Sequence, residues 1–170
     1  MLIVLTLICF QARSDVVETS AHGFTLKIER SVPVSADVAY QQFLDIGKWW
    51  SEEHTWFGKA SGLYIEPQAG GCFCEKNGEK SALHMIVSYV DPGREIRLIG
   101  GLGPLQRMAL DGAMSFKFIP VDDDSSTDNK VTNIVFEYKV SGHSSLESLA
   151  GIVNAVQTMQ IERLQASLQN

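Results

Sequence analysis

Ile46-Gly47-Lys48-Trp49-Trp50, followed by Trp56-Phe57-Gly58 and then Pro67-Gln68-Ala69-Gly70-Gly71-Cys72-Phe73-Cys74-Glu75, gathers the bulkiest side chains of this chain into one stretch. All 3 tryptophans fall inside it. Aromatic side chains bury large areas and favour places where one end is apolar and the other wet. Two readings fit: the mouth of a cavity, or a hydrophobic plug closing one end of a β-sheet.

Upstream, Phe24-Thr25-Leu26-Lys27-Ile28-Glu29 alternates as a half-buried strand does. Ser35 can cap a helix, Asp37 suits its first turn, and Ala36, Ala39, Phe43 and Ile46 recur at helical spacing, with Gly47 as its end. Downstream come short extended segments at 63–66 and 72–76. Asn77-Gly78 is then a strong hairpin signal. A strand over 81–90, a turn at Asp91-Pro92-Gly93 and a strand over 94–99 follow. The break Gly100-Gly101-Leu102-Gly103-Pro104 leads into 108–119, and an acidic loop at 122–128 leads into 131–140.

Counting through the hairpins assigns faces. Cys72 and Cys74 fall with Leu83, Met85, Val87, Tyr89, Ile96 and Leu98 on an apolar side. Phe73, Glu75, Ala82, His84, Ile86, Ser88, Glu95 and Arg97 fall on a mixed side, expected to face solvent in an antiparallel sheet. A three-residue loop at Asn77 would invert the cysteine assignment. Ser144-Ser145-Leu146-Glu147 reads as a capping box. The stripe Leu146, Leu149, Ala150, Val153, Val156, Gln160, Ile161, Leu164 and Leu168 predicts a helix over 145–168, about 36 Å long. Gln160, polar in that stripe, either pairs with a neighbour or lines a wet cavity.

The 170 residues, 45% apolar and 20% charged, suffice for one domain with a proper core. A formal charge of −6 without a Lys/Arg cluster argues against nucleic acid as partner. Leu2 to Phe10 is an apolar run too short to span a bilayer but long enough for the core of a signal peptide, with small residues at Ala12 and Ser14. Residues 1–14 are therefore expected to be a signal peptide and 15–170 a single domain, periplasmic or secreted, without a stable membrane anchor. A leader that is not a signal would leave the protein in the cytoplasm. Cys72 and Cys74, two apart on one strand, are expected to be unbridged, because disulfide geometry disfavours joining them within an extended segment. Two cysteines also fall short of a structural zinc site, and neither a metal nor a cofactor is expected.

Taken together, a strand, a helix ending in Lys48-Trp49-Trp50, the step Ala69-Gly70-Gly71-Cys72-Phe73-Cys74-Glu75, an Asp-Pro-Gly hairpin, Gly101-Leu102-Gly103-Pro104-Leu105-Gln106 and a long last helix resemble the SRPBCC superfamily. That superfamily includes START-like lipid-binding proteins, polyketide cyclases and birch-pollen-allergen-like proteins. Within it, the branch of activators of the heat-shock-protein ATPase is the most similar. The resemblance implies an α+β helix-grip fold: a curved antiparallel sheet wrapped around a long C-terminal helix, with a cavity between them for an apolar small molecule. The leader departs from the cytosolic members, so their chaperone partner is not carried over, and a fold by itself does not fix function.

Three functions follow as expectations. The first is an extracytoplasmic carrier or sensor for a hydrophobic small molecule, lined by Trp50, Trp56, Met85, Tyr89, Phe116, Phe136, Tyr138, Val156 and Gln160. The alternative reading of those residues is a closed core. The second is a cyclase-like or hydrolytic enzyme using Glu75 and His84, which share a face with Arg97, for acid–base chemistry. On an exposed face such residues would be an ordinary cross-strand pair. The third is a ligand-free interaction domain with a filled interior and an aromatic docking loop.

Overall fold

The computed structural model describes residues 13–121, 130–143 and 146–169. The apolar run at Leu2 to Phe10, the acidic loop at 122–128 and the Ser144-Ser145 half of the capping box lie outside the described residues. The chain runs β1 (Arg13–Ser20), β2 (Gly23–Val32), α1 (Ala36–Leu44), α2 (Ile46–Trp49), β3 (Leu63–Ile65), β4 (Cys72–Asn77), β5 (Lys80–Asp91), β6 (Glu95–Ile99), β7 (Asp111–Val121), β8 (Val131–Ser141) and α3 (Glu147–Ser167), with short 3-10 turns between. The strands form one antiparallel curved sheet in the order β1-β2-β8-β7-β6-β5-β4-β3. With α3 over β2 and β1, this is the α+β helix-grip architecture.

β2 shows why the sheet is one-sided. Phe24, Leu26 and Ile28 are buried while Lys27 is exposed, and β8 opposes them with Val140, Tyr138 and Phe136. Burying such a side chain contributes about 1.5–3 kcal/mol, so a shift of one residue, which would turn this set to solvent, is strongly disfavoured. Phe43 of α1 packs on Phe116 at 4.4 Å between ring centres, and Phe116 on Phe136 at 5.0 Å. Those contacts seal the middle of the sheet.

The first helix stops one turn earlier than Gly47 suggests. The Ser35 hydroxyl accepts from the Val38 amide at 3.4 Å, and α1 ends at Leu44 with Asp45 as a break. Gly47 sits inside α2, where a Cβ would press on the Ala60 carbonyl at 3.0 Å and the Leu63 carbonyl at 3.2 Å. Its glycine is required by close approach rather than by helix termination. β1, which the sequence does not announce, adds an edge strand with exposed side chains at 15–20.

Two β-bulges correct the face assignment. Asn77 pairs with Lys80, giving a two-residue loop, and Cys74 pairs with Leu83 as expected, but Phe73 then pairs with Met85, leaving His84 as an extra residue. A second extra residue, Ser88, lies between the pairs Val87–Leu98 and Tyr89–Arg97. A bulge re-aims side chains on its strand. Met85, Val87, Ile96 and Leu98 face the core as expected, but so do Phe73, Glu75 and His84. Cys72, Cys74, Leu83 and Tyr89 lie on the outer face. Arg97, also outside, is held by Glu95 through contacts of 2.8 and 3.0 Å and lies over the Tyr89 ring at 4.3 Å, away from Glu75 and His84.

The cysteines are a second correction: Cys72 and Cys74 form a disulfide. Their Cα atoms are 5.4 Å apart, inside the range a disulfide spans. A regular strand would hold them farther apart. The irregular pairing at Phe73/Cys74 accompanies this closer approach.

Candidate functional site

Three segments enclose a cavity of about 350 Å³: the loop 50–56 after α2, the 3-10 turn Gly103–Met108, and the N-terminal half of α3. Apolar groups make most of its wall, among them Trp50, Trp56, Leu102, Leu105, Met108, Leu149, Val153 and Val156. Glu53, His54, Thr55, His84 and Gln157 are the polar lining. A small volume with an apolar wall and a few convergent polar groups is the usual form of a small-molecule site. Trp56, 44% exposed, and Ile152, 63% exposed, stand where it meets solvent.

Each wall is fixed by its own hydrogen bonds. The Trp49 indole donates to the Phe43 carbonyl at 3.1 Å, and the Trp50 indole to the His54 carbonyl at 3.0 Å. Trp49 therefore plugs the core while Trp50 faces the cavity, so the plug and the mouth are adjacent residues. The 3-10 turn begins with Pro104 in its first turn and ends at Ala109, whose φ of 55° is left-handed. The buried Tyr138 hydroxyl accepts from the Leu102 amide at 3.1 Å, tying the turn to β8. Burial pushes this phenol up to about 12, with the Leu102 bond opposing the rise.

α3 explains the space. Its C-terminal half buries Gln157, Gln160, Ile161 and Leu164 against the sheet. Leu149, Val153 and Val156 in its first half are only partly buried. The apolar stripe there lines the cavity, with Leu149 and Val153 also packed against the edge of the core.

At the cavity wall lies a buried Glu–His pair. Glu75 is fully buried and His84 is 4% exposed. Glu75 accepts the Trp56 amide at 2.9 Å and the Phe57 amide at 2.8 Å, one on each oxygen, and His84 Nε2 lies 3.2 Å from the oxygen that serves Trp56. An acceptor so placed makes Nε2 the protonated nitrogen, leaving a lone pair on Nδ1. Burial holds the imidazole below its ordinary value, with Glu75 pulling the other way. The Phe73 ring lies 4.7 Å from the imidazole and tilted by 31°, and the Gln106 amide donates to the His84 and Leu83 carbonyls, both at 2.8 Å. His84 Nδ1 is buried and has no partner among the described residues.

Of the residues expected to line a cavity, Trp50, Trp56 and Val156 do. Met85, Phe116, Phe136 and Tyr138 fill the core beside it, and Tyr89, 39% exposed, is on the far face of the sheet. Gln160 pairs with a neighbour, its carbonyl accepting the Ser51 amide at 2.9 Å; Gln157, one turn earlier on the same helix, is the glutamine at the wall. Leu102, Leu105 and Met108 are lining residues outside the expected set; their spacing of three around Gly103-Pro104 is the 3-10 period, which is the signal the sequence carries for them. No group of metal-ligating residues occurs among the described residues, and no helix among them is long and apolar enough to cross a membrane.

No protein-family model matches the chain, and no curated protein matches it in sequence. Solved structures do. A conserved Enterococcus faecalis protein of unknown function matches with a TM-score of 0.57 at 11% identity, over 94% of this chain and 78% of that one. CalU16 of Micromonospora echinospora matches with a TM-score of 0.54 at 12% identity, over 91% of this chain and 83% of its own. DynU16, a protein of the dynemicin biosynthetic locus, matches with a TM-score of 0.53 at 13% identity, over 85% of this chain and 46% of its own. At these identities the likeness shows the fold alone.

Proposed function

We propose that the protein binds an apolar small molecule in the cavity between α3 and the loops at 50–56 and 102–108, acting as an extracytoplasmic carrier or sensor of the SRPBCC type. The observation that carries this reading is the cavity of about 350 Å³ itself, lined by the partly buried apolar stripe of α3. A ligand-free docking domain would fill that space with side chains. A protein of the same fold in the dynemicin biosynthetic locus agrees with small-molecule chemistry. Export is supported by the apolar run at Leu2 to Phe10 and by the Cys72–Cys74 disulfide, since disulfides persist in oxidising compartments.

N-phenyl-1-naphthylamine, an apolar dye, tests it. The protein is expected to bind the dye saturably at one site, and Val153→Trp, which fills the cavity from α3, is expected to weaken binding at least tenfold without lowering the thermal midpoint by more than a few degrees. Absence of saturable binding, or full binding by a folded Val153→Trp variant, contradicts the reading.

A second reading, an acid–base enzyme, is favoured by one observation: Glu75 and His84 meet at 3.2 Å in a buried site at the cavity wall. A carboxylate that fixes the imidazole tautomer is the arrangement by which a histidine serves as general base.

A further inference from the structure

We propose that His84 Nδ1 is the polar anchor of the cavity and that the molecule held there is a hydroxy-aromatic or enol, with an apolar body and one O–H that donates to this nitrogen. The inference rests on the cavity reading and narrows it from any apolar molecule to a class.

Three observations converge on that nitrogen. His84 is among the residues that line the cavity. Its other nitrogen is committed to Glu75 at 3.2 Å, and Glu75 is itself fixed by the Trp56 and Phe57 amides, so the ring cannot turn to satisfy Nδ1 without breaking that contact. Nδ1 has no partner among the described residues although it is buried. A buried acceptor left unsatisfied costs about 1–3 kcal/mol, and such groups in native proteins call for a reason, of which a ligand is one. The neighbourhood selects the chemistry. A lone pair accepts and cannot donate, so a ketone, ether or ester oxygen gains nothing there. The apolar wall formed by Trp50, Leu105 and Val153 disfavours a charged head group, which would lose its hydration without a paired charge. What remains is a neutral donor on an apolar frame. Flat aromatic frames suit the indoles of Trp50 and Trp56, which favour offset or edge contacts.

Equilibrium dialysis with 2-naphthol and 2-methoxynaphthalene, which share a frame and differ in the donor, tests the assignment. The protein is expected to hold 2-naphthol roughly tenfold tighter, equivalent to about 1.4 kcal/mol. His84→Phe is expected to erase the difference, and His84→Asn, whose side-chain oxygen can take the place of Nδ1, to keep much of it. A measurement that needs no variant is the 15N resonance of His84 Nδ1, expected to move on adding 2-naphthol and to stay in place with 2-methoxynaphthalene. Equal binding of the two probes by the wild-type protein, or a preference that survives in a folded His84→Phe variant, overturns the anchor and leaves the cavity reading standing. Binding of neither probe overturns the anchor, and overturns the cavity reading with it where N-phenyl-1-naphthylamine also fails to bind.

Discussion

Glu75 takes three donors, the amides of Trp56 and Phe57 and the imidazole of His84, while fully buried. It thereby joins strand β4 to the tryptophan loop and sets the tautomer of His84. Removing the carboxylate strands all three donors, of which the two amides are partly reachable by water. With about 1–3 kcal/mol for each donor left unsatisfied in the interior, Glu75→Ala is expected to destabilise the protein by roughly 3 kcal/mol. Glu52→Ala, on the exposed turn nearby, is expected to change stability by less than about 0.5 kcal/mol. Urea unfolding midpoints measure both, and a near-neutral Glu75→Ala would show that the carboxylate does not organise the loop. The residue types at this site were legible in the sequence: Glu75 and His84 stood out as a pair there. Their burial was not, because a single extra residue in β5 turns His84 inward and no property of Leu83-His84-Met85 announces it.

At the scale of elements, the same cause explains most of what the sequence concealed. Period-two counting is right along β2, β7 and β8, where the pairing is regular over ten or eleven residues, and it fails on β5, which carries two bulges. Cys72, Cys74 and Tyr89 were assigned to the core face and lie on the outer one for that reason. The disulfide is a consequence at the same scale, since it joins two residues of β4 on that outer face. Its cross-link closes a loop of three residues, and the chain-entropy estimate for so short a loop is about 1.5 kcal/mol. The double substitution Cys72→Ser with Cys74→Ser is therefore expected to lower unfolding stability by about 1–2 kcal/mol in urea, and an unchanged midpoint would show that the bridge carries no stability. α3 was plainer, because a helix of this length needs only its 3.6-residue stripe. The sequence did not show that the first half of that stripe faces a cavity, as this depends on where the 102–108 turn lies.

For the whole molecule, the proposed function rests on the cavity between α3 and the loops at 50–56 and 102–108. The core is continuous from β2 through β4 and closed by α1 and by the buried half of α3. Toward the tryptophan loop the apolar interior opens, and there Trp56 and Ile152 are exposed. A cavity of this size and lining is expected to retain its occupant through a gentle purification. Native mass spectrometry of the protein, purified from its own host without detergent, measures this directly. The account predicts a reproducible added mass of a few hundred daltons that disappears on denaturation and is recovered in organic extract as an apolar molecule bearing a hydroxyl. A bare protein mass, from a preparation that also fails to bind N-phenyl-1-naphthylamine, would contradict it.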